Sequence, residues 1–224
     1  MPSHHATHVY QPPAHTGLDL IHVDGALLVI NKPSGLLSVP GRGEEKHDSL
    51  IARVQLEFPD ALIVHRLDME TSGLLVLARS KEMHRRLSIL FQNRKVDKRY
   101  VAIVEGMLQP ARGKVDLPIN VDWPNRPLHR VDHEAGKPAL TRYRVLSHDA
   151  ATGGSRVELE PETGRTHQLR VHMQALGHPI LGDGLYAPPT ALAKAERLLL
   201  HAETLSFRHP VTDETLRFHC PAPF

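Results

Sequence analysis

The sequence predicts a single α+β domain in which helices flank a central, mainly antiparallel sheet. The chain has 224 residues, of which 41% are hydrophobic, enough to bury the core of one ordinary domain. Segments that alternate polar and apolar residues, as half-buried antiparallel strands do, are interspersed with segments of helical spacing. No internal repeat and no clear linker divides the chain.

We place the start of the domain at Leu18. Residues 1–17 are rich in His and Pro and lack apolar periodicity, so we expect a flexible N-terminal arm, with the domain over residues 18–224. The histidines of the arm could bind a metal adventitiously, but nothing in the sequence sets a coordination geometry.

The first half of the domain carries both strand and helix signals. A turn at Asp24-Gly25 divides Leu18–Asn31 into two short strands, and a loop rich in proline and glycine follows over Lys32–Arg42. Helical spacing covers Ser49–Phe58 and ends at the next proline. The remaining elements are a buried strand over Leu74–Ala78 and a helix capped by Ser80, with Met83, Leu87, Leu90 and Phe91 on one face.

The second half is mostly strand. Arg99–Glu105 is strand-like, and alternation over Arg142–Leu146 and Arg156–Glu160 predicts half-buried antiparallel strands. A helix is expected over Thr166–Leu176, with Gly177 as its stop. Three further strand-like pieces close the chain: Leu198–Leu200, Thr204–Phe207 and Leu216–His219.

Charge and cysteine content exclude only a few classes of function. The formal net charge of +2 is a weak argument for any partner, although 17 histidines add positive charge at mildly acid pH. Cys220 is the only cysteine, which excludes an intramolecular disulfide and a cysteine-based zinc site. Without a membrane-length apolar run or a signal core, a soluble cytoplasmic protein is expected. Short basic clusters, usually solvated surface charges, occur at Arg85–Arg86, Arg94–Lys95, Lys98–Arg99 and Arg126–Arg130.

Several chemistries lack their required residues. Gly177–Gly184 has the glycine spacing of a phosphate-binding loop, but Asp183 occupies the lysine position and the segment follows a helix. Thr71–Gly73 lacks the first glycine of a hydrolase nucleophile elbow. His167 and His172 are five residues apart, so they diverge on a helix and do not form a metal-binding pair. We therefore expect no cofactor and no metal site.

Three segments remain as candidates for chemistry, and each also has a purely structural interpretation. In His65–Ser80, Asp68 lies between apolar runs, where such a residue is usually a structural ion pair or a turn cap. In Asp97–Gly106, Tyr100 follows basic residues, and most such tyrosines are simply packed. In Glu162–Asp183, three basic side chains lie near the start of a predicted helix: Arg165, His167 and Arg170. They favour binding of an anion there, or they are ordinary surface charges.

These segments, in this order, resemble the motifs of RluA-type pseudouridine synthases. HRLDMETSG around Asp68 resembles the catalytic motif of that family, and DKRYVA around Tyr100 resembles its tyrosine motif. TGRTHQLRVH with GHPILGD resembles its third motif, and LLLHAETLSF resembles its C-terminal strand motif. The segments NKPSGLLSVPGR and DLPINVDWPNRP resemble the dual-specificity members in particular, which also lack the N-terminal S4-like domain of many relatives. The resemblance runs from about Leu18 to the end of the chain.

The resemblance implies a pseudouridine-synthase-like domain without an S4 domain, and an isomerase that needs no cofactor. Asp68 would be the catalytic carboxylate, as nucleophile or as base, with Arg170 as its catalytic partner. Tyr100 would be the third catalytic residue: it would stack on the target base, and by hypothesis its hydroxyl would help to move the C5 proton. The remaining substrate-binding positions would be Arg66, which fills the stack vacated by the flipped uridine, Leu200 as an apolar wall, and Arg165 and His167.

The implied partner is RNA, bound by a localised basic face of a monomer that does not associate with a membrane. For dual-specificity members, the resemblance implies uridine 32 of tRNA, in the anticodon stem-loop, and uridine 746 of 23S rRNA, in a hairpin. Three alternatives stay open: a synthase of the same family that acts on rRNA alone, a non-catalytic RNA-binding module, and a glycosylase that releases free uracil.

Overall fold

Strands dominate the computed structural model, which describes residues 10–150 and 152–224. Its strands are β1 (Leu20–Val23), β2 (Leu27–Lys32), β3 (Leu62–Ile63), β4 (Ser72–Ala78), β5 (Asp97–Glu105), β6 (Arg112–Asp116), β7 (Ile119–Val121), β8 (His129–Val131), β9 (Leu140–Asp149), β10 (Gly154–Pro161), β11 (Leu200–Arg208) and β12 (Thr215–His219). Its helices are α1 (Leu50–Glu57), α2 (Lys81–Gln92), α3 (Gln168–Ala175) and α4 (Pro189–Leu192), with short 3-10 turns at Glu44–Lys46 and Trp123–Asn125.

Ten of these strands form one sheet, and β7 and β8 form a separate hairpin. The order in the sheet is β1-β2-β4-β11-β5-β10-β9-β6, with β12 beside β11 and β3 beside β4. Of these neighbours only β4 and β11 run parallel, so the predicted mainly antiparallel α+β fold is confirmed.

The close approach of β4 and β11 explains the glycine of the TSG segment. Gly73 has φ +111°, and a Cβ atom there would overlap the backbone of Ala202 on β11. Only glycine fits both requirements without strain. Because Ser72 and His201 pair in the same register, β11 is fixed just beyond the segment that carries Asp68.

Helices cover the two faces of the sheet. Leu87 of α2 is buried with Leu74 and Val76 on one face, whereas Val54 of α1 is buried with Leu75 on the other. A third core joins α3 to β5, β9 and β10. Ser49 and Ser80 cap α1 and α2 by accepting hydrogen bonds from backbone N–H groups, as the sequence predicts for Ser80.

The structure differs from the sequence prediction in several places, and β3, β6 and α4 are among the elements that were not predicted. The third predicted helix starts at Gln168 instead of Thr166, because His167 has a left-handed φ of 56° that interrupts the helical path. Leu200, the last residue of the first predicted piece, and all of Thr204–Phe207 belong to one strand, β11, whose pairing with β5 is irregular between Ala202 and Thr204. The β7–β8 hairpin was missed, since its three-residue strands are too short to show alternation.

Part of the predicted N-terminal arm lies against the domain. Residues 1–9 fall outside the described residues, but the Tyr10 hydroxyl donates to the Asp48 carbonyl and accepts from the Leu37 N–H. Arg53 also donates to the Pro13 carbonyl. The boundary at Leu18 remains a prediction. Within the two described ranges, no helix is long and apolar enough to cross a membrane.

Candidate active site

The segment that carries Asp68 is held by the loop after β2. Lys32 is fully buried, and its Nζ donates to the carbonyl oxygens of Pro33, Leu36 and Met69 at 2.8, 2.7 and 2.9 Å. Burial lowers the pKa of Lys32 to about 7, against the opposing charges of Glu70 and Asp68. Lys32, the last residue of β2, thus ties the loop that follows it to the residue immediately after Asp68.

A serine of the same loop holds the residue before Asp68. The Ser38 hydroxyl donates to the Leu67 carbonyl at 2.7 Å and accepts from the Leu67 N–H at 3.2 Å. The Gly35 N–H donates to the Met69 carbonyl at 3.0 Å, which adds a further bond on the other side. Bonds on both sides of Asp68 fix the backbone from which its side chain projects.

Asp68 meets a buried arginine from α3. Its carboxylate is 26% exposed and lies 3.7 Å from Nη1 of Arg170, whose side chain is 3% exposed. A guanidinium at this distance stabilises a carboxylate, and more strongly where water is largely excluded. The structure therefore brings together two of the predicted catalytic residues, which lie about a hundred positions apart in the chain.

The closer partner of Arg170 is Asp183. Nε and Nη2 of Arg170 donate to the two Asp183 oxygens at 2.8 and 2.6 Å, and the Asp183 side chain is completely buried. Asp183 Oδ1 also accepts from the N–H groups of Leu185 and Tyr186. Burial by itself would lower the pKa of Arg170, but Asp183 raises it above its ordinary value. This bidentate pair sets the orientation from which Nη1 faces Asp68.

Tyr186 completes what we call the inner cluster: Asp68, Arg170, Asp183 and Tyr186. The Arg170 guanidinium lies 5.1 Å from the centre of the Tyr186 ring. The Tyr186 hydroxyl accepts from the His129 N–H and shares a hydrogen bond of 2.6 Å with His167 Nδ1. Burial lowers the pKa of His167 to about 4, with Asp68 opposing the shift, so the ring is neutral at physiological pH.

Tyr100 and Leu200 lie on the neighbouring strands β5 and β11 and contribute to the same core. Tyr100 of β5 packs against both the α1 core and the α3 core, and Leu200 is a buried member of the latter. Burial raises the pKa of Tyr100, and the charge of Asp68 raises it further. The phenol is therefore protonated at neutral pH, and it lies near enough to Asp68 to sense its charge.

A model of a known protein family matches most of the chain. Residues 26–175 match the family model described as RNA pseudouridylate synthase. The chain belongs to the RNA pseudouridylate synthase family. Its activity class is that of an isomerase, which converts uridine to pseudouridine in RNA.

Relatives of this synthase match over nearly their whole length. This chain is 54% identical over 215 residues to the dual-specificity RNA pseudouridine synthase RluA of Escherichia coli K12, and the alignment covers 96% of this chain and 98% of the relative. The Pasteurella multocida protein of the same name is 51% identical over the same shares of the two chains.

Solved structures show the same domain. Human RNA Pseudouridylate Synthase Domain Containing 1 aligns with a TM-score of 0.79 at 32% identity, over 96% of this chain and 87% of that one. Human RNA Pseudouridylate Synthase Domain Containing 4 aligns with a TM-score of 0.73 at 30% identity, over 91% and 88% of the two chains.

The remaining predicted site residues lie outside the inner cluster of the synthase. Arg66 is exposed and forms no hydrogen bond or ion pair with any described residue. Arg165 is exposed, and its Nε donates to the Pro138 carbonyl at 3.1 Å. His65, which the sequence left without a role, accepts from the Val76 N–H and stacks on Phe91, so it serves the packing of β4 against α2.

Sequence reasoning missed three residues of the site. Asp183 was noted only as a mismatch to a phosphate-binding loop, although it stands in the GHPILGD segment that resembles the family's third motif. Lys32 begins the KPSG segment, and Tyr186 follows Asp183 by three residues. A buried lysine or aspartate carries no sequence signal of its burial. Among the described residues, no group of three or more His, Cys, Asp or Glu is placed to hold a metal ion.

Proposed function

We propose that this synthase uses Asp68 as its catalytic carboxylate and isomerises uridines in both tRNA and large-subunit rRNA. The observation that carries the proposal is the pairing of Asp68 with Arg170. A partly exposed carboxylate, on a backbone fixed on both sides, faces a buried guanidinium that Asp183 holds in place. This carboxylate is paired with a buried cation and is oriented to project toward a substrate.

The reaction breaks the N1–C1′ bond of uridine, turns the uracil and joins C5 to C1′, after which C5 loses its proton and N1 gains one. No atom is gained or lost, so side chains alone suffice. Asp68 acts at the sugar–base junction, either by attack on a carbon or by removal of a sugar proton. Arg170 stabilises the carboxylate before the step and the charge that develops during it.

Tyr100 stacks on the flipped base. It does not take up the C5 proton as a base. Because its pKa is raised, Tyr100 holds its own proton at neutral pH and does not supply a phenolate base. Its hydroxyl serves as a hydrogen-bond donor, and Leu200 backs the ring within the same core.

Base flipping gives Arg66 a role. Extrusion of a uridine costs a few kcal/mol of stacking and pairing. The exposed guanidinium of Arg66, two residues before Asp68 and without a partner in the described structure, is free to fill the gap with its planar surface. Arg165 contacts phosphate, whereas the neutral ring of His167 contacts RNA by hydrogen bonding and not by charge.

Dual specificity is supported by the relatives. The dual-specificity synthases are 54% and 51% identical over almost the whole chain, and the DWPNRP segment resembles them. We propose two substrates: the anticodon stem-loop of tRNA, at uridine 32, and a hairpin of 23S rRNA, at uridine 746.

The test is tritium release from C5-labelled uridine in an anticodon stem-loop and in the rRNA hairpin. The unmodified synthase should release tritium from both RNAs without free uracil. Asp68→Asn should reduce the rate at least about 100-fold, the lower end for loss of a general base. Asp213→Asn, whose side chain is 83% exposed, is the matched control and should react normally.

Each other outcome rejects a defined part of the proposal. Free uracil would indicate a glycosylase, and release from the rRNA hairpin alone would indicate an rRNA-specific synthase. RNA binding without release from either substrate or from total unmodified RNA would leave only a binding module. Full activity of Asp68→Asn would remove Asp68 from the mechanism.

A further inference from the structure

The tip of the β7–β8 hairpin exposes the only tryptophan of the chain. Trp123 begins the 3-10 turn Trp123–Asn125 and is 62% exposed. The guanidinium carbon of Arg126 lies 4.0 Å from the centre of its ring, so the cation covers one face of the indole. Large aromatic side chains are usually buried, and an exposed one backed by arginine is typical of a binding surface.

The tip does not need the indole for its own structure. The N–H of Asp122 donates to the Leu128 carbonyl, and the N–H of Leu128 donates to the Asn125 carbonyl. The Asn125 amide also donates to the Asp122 carboxylate at 2.9 Å. The Trp123 ring belongs to none of the hydrophobic clusters formed by the described residues, in contrast to Leu128, which packs inward.

The hairpin is in direct contact with the inner cluster through Tyr186. Its residue His129 donates its N–H to the Tyr186 hydroxyl, and the His129 ring lies 5.1 Å from that of His167. Val131 and Ile119 of the hairpin pack on Val171 of α3, the helix that carries Arg170. An RNA loop that places a uridine at Asp68 therefore comes close to the hairpin.

Three exposed arginines lie on or near the hairpin. Arg126, Arg130 and Arg165 are exposed and form no ion pair with described residues. The nearby carboxylates of Asp122 and Asp132 already accept hydrogen bonds from within the hairpin and the turn that follows it. The guanidinium groups of Arg126, Arg130 and Arg165 are therefore open to solvent and can bind phosphate.

We infer that Trp123 and Arg126 form a base-stacking subsite for an unpaired nucleotide of the same RNA loop that supplies the target uridine. The inference rests on the proposed function. The open face of the indole takes the base, and Arg126 supports the other face and contacts the adjacent phosphate. Stacking on an aromatic ring tolerates different bases, so one subsite can serve two RNA loops of different sequence.

The single tryptophan allows a direct test, because its fluorescence reports the subsite alone. The inactive Asp68→Asn protein is titrated with the anticodon stem-loop, and binding is followed in parallel by the anisotropy of labelled RNA. Indole fluorescence should be quenched with the same midpoint as the anisotropy change, and acrylamide should then reach the indole less readily. RNA binding without either fluorescence change would overturn the inference, and so would the absence of RNA binding.

Kinetics supply the second readout. Trp123→Ala should raise the KM for the stem-loop about 5- to 150-fold, the range expected for one base–aromatic stack, and leave kcat nearly unchanged. Trp123→Phe should recover most of the loss. Leu56→Ala, at a 76% exposed position on α1, is the control for loss of an exposed apolar side chain and should be unchanged.

These results separate the subsite from the catalytic proposal. Normal tritium release by Trp123→Ala with an unchanged KM would reject the subsite and leave the function intact. Failure of the unmodified protein to release tritium would reject the function, whereas the fluorescence titration would still decide whether RNA stacks on Trp123.

Discussion

The inner cluster and the surface around it both depend on arginine, but the arginines are held in opposite ways. Arg170 is 3% exposed and is bound through both oxygens of a fully buried Asp183. Arg66, Arg126 and Arg165, which we call the outer arginines, are exposed and form no ion pair with any described residue.

The difference depends on whether each arginine charge is stabilised by groups of the protein or by water. A buried guanidinium must have its partners within the protein, because an unpaired buried charge costs several kcal/mol. An exposed guanidinium is satisfied by water, and it loses little when RNA phosphate takes the place of that water. The inner arginine thus contributes to both stability and geometry, whereas the outer ones are available for the substrate.

The largest effect that this comparison predicts is at Asp183. Asp183→Asn removes the charge that compensates Arg170 and should lower the free energy of unfolding by about 3–5 kcal/mol, the usual cost of breaking a buried pair. It should also abolish tritium release at temperatures where the variant remains folded, because Arg170 is no longer oriented toward Asp68. Urea unfolding and the release assay measure the two effects.

A surface pair provides the matched control. Asp60 accepts from Arg79 at 3.0 Å; the Asp60 side chain is exposed and that of Arg79 is partly exposed. Asp60→Asn should change the free energy of unfolding by less than about 1 kcal/mol. If the Asp183 and Asp60 variants were equally stable, the inner cluster would not be the structural support described above.

An intermediate effect is expected from pH at the edge of the inner cluster. The pKa of His167 falls from 6.5 to about 4 on folding, so between these values the unfolded chain binds the proton and the folded chain does not. Acidification from pH 6.5 to pH 4 should therefore destabilise the protein. The share from His167 is on the order of 2 kcal/mol, once its partial exposure to solvent is allowed for.

His167→Asn isolates that share. Asparagine tolerates the left-handed φ at this position and does not titrate in this range. The variant should show a shallower loss of stability between pH 6.5 and 4, measured by urea unfolding across the range. Part of the slope should remain, because burial also lowers the pKa of His65, to about 3. An identical slope in both proteins would show that His167 is not buried as a neutral ring.

The smallest effect on folding is expected at the outer arginines. Arg66→Ala and Arg165→Ala should each change the free energy of unfolding by less than about 0.5 kcal/mol, as surface substitutions do. RNA affinity should fall instead. For Arg165→Ala the salt dependence of binding should weaken by about one phosphate contact. A large loss of stability in either variant would contradict the division between inner and outer arginines.

Local features of the fold were predictable because their signals lie within a few residues. Ser80 as a cap and Leu87 on the buried face of α2 follow from helical spacing, and both are confirmed. The short β7–β8 hairpin and the left-handed His167 were not predictable in this way. Three-residue strands carry too little periodicity, and the backbone angle of a histidine leaves no mark in the sequence.

For the site, the sequence by itself determined which residue types are present and, through resemblance, the family and the candidate roles of Asp68, Tyr100 and Arg170. Only the tertiary structure decided which groups meet: Asp183 with Arg170, Lys32 with the Met69 carbonyl, and Ser38 with Leu67. It also decided that Trp123 stays exposed whereas Leu200 is buried. Periodicity reports which face of an element is apolar, but the partner of a buried polar group depends on the path of the whole chain.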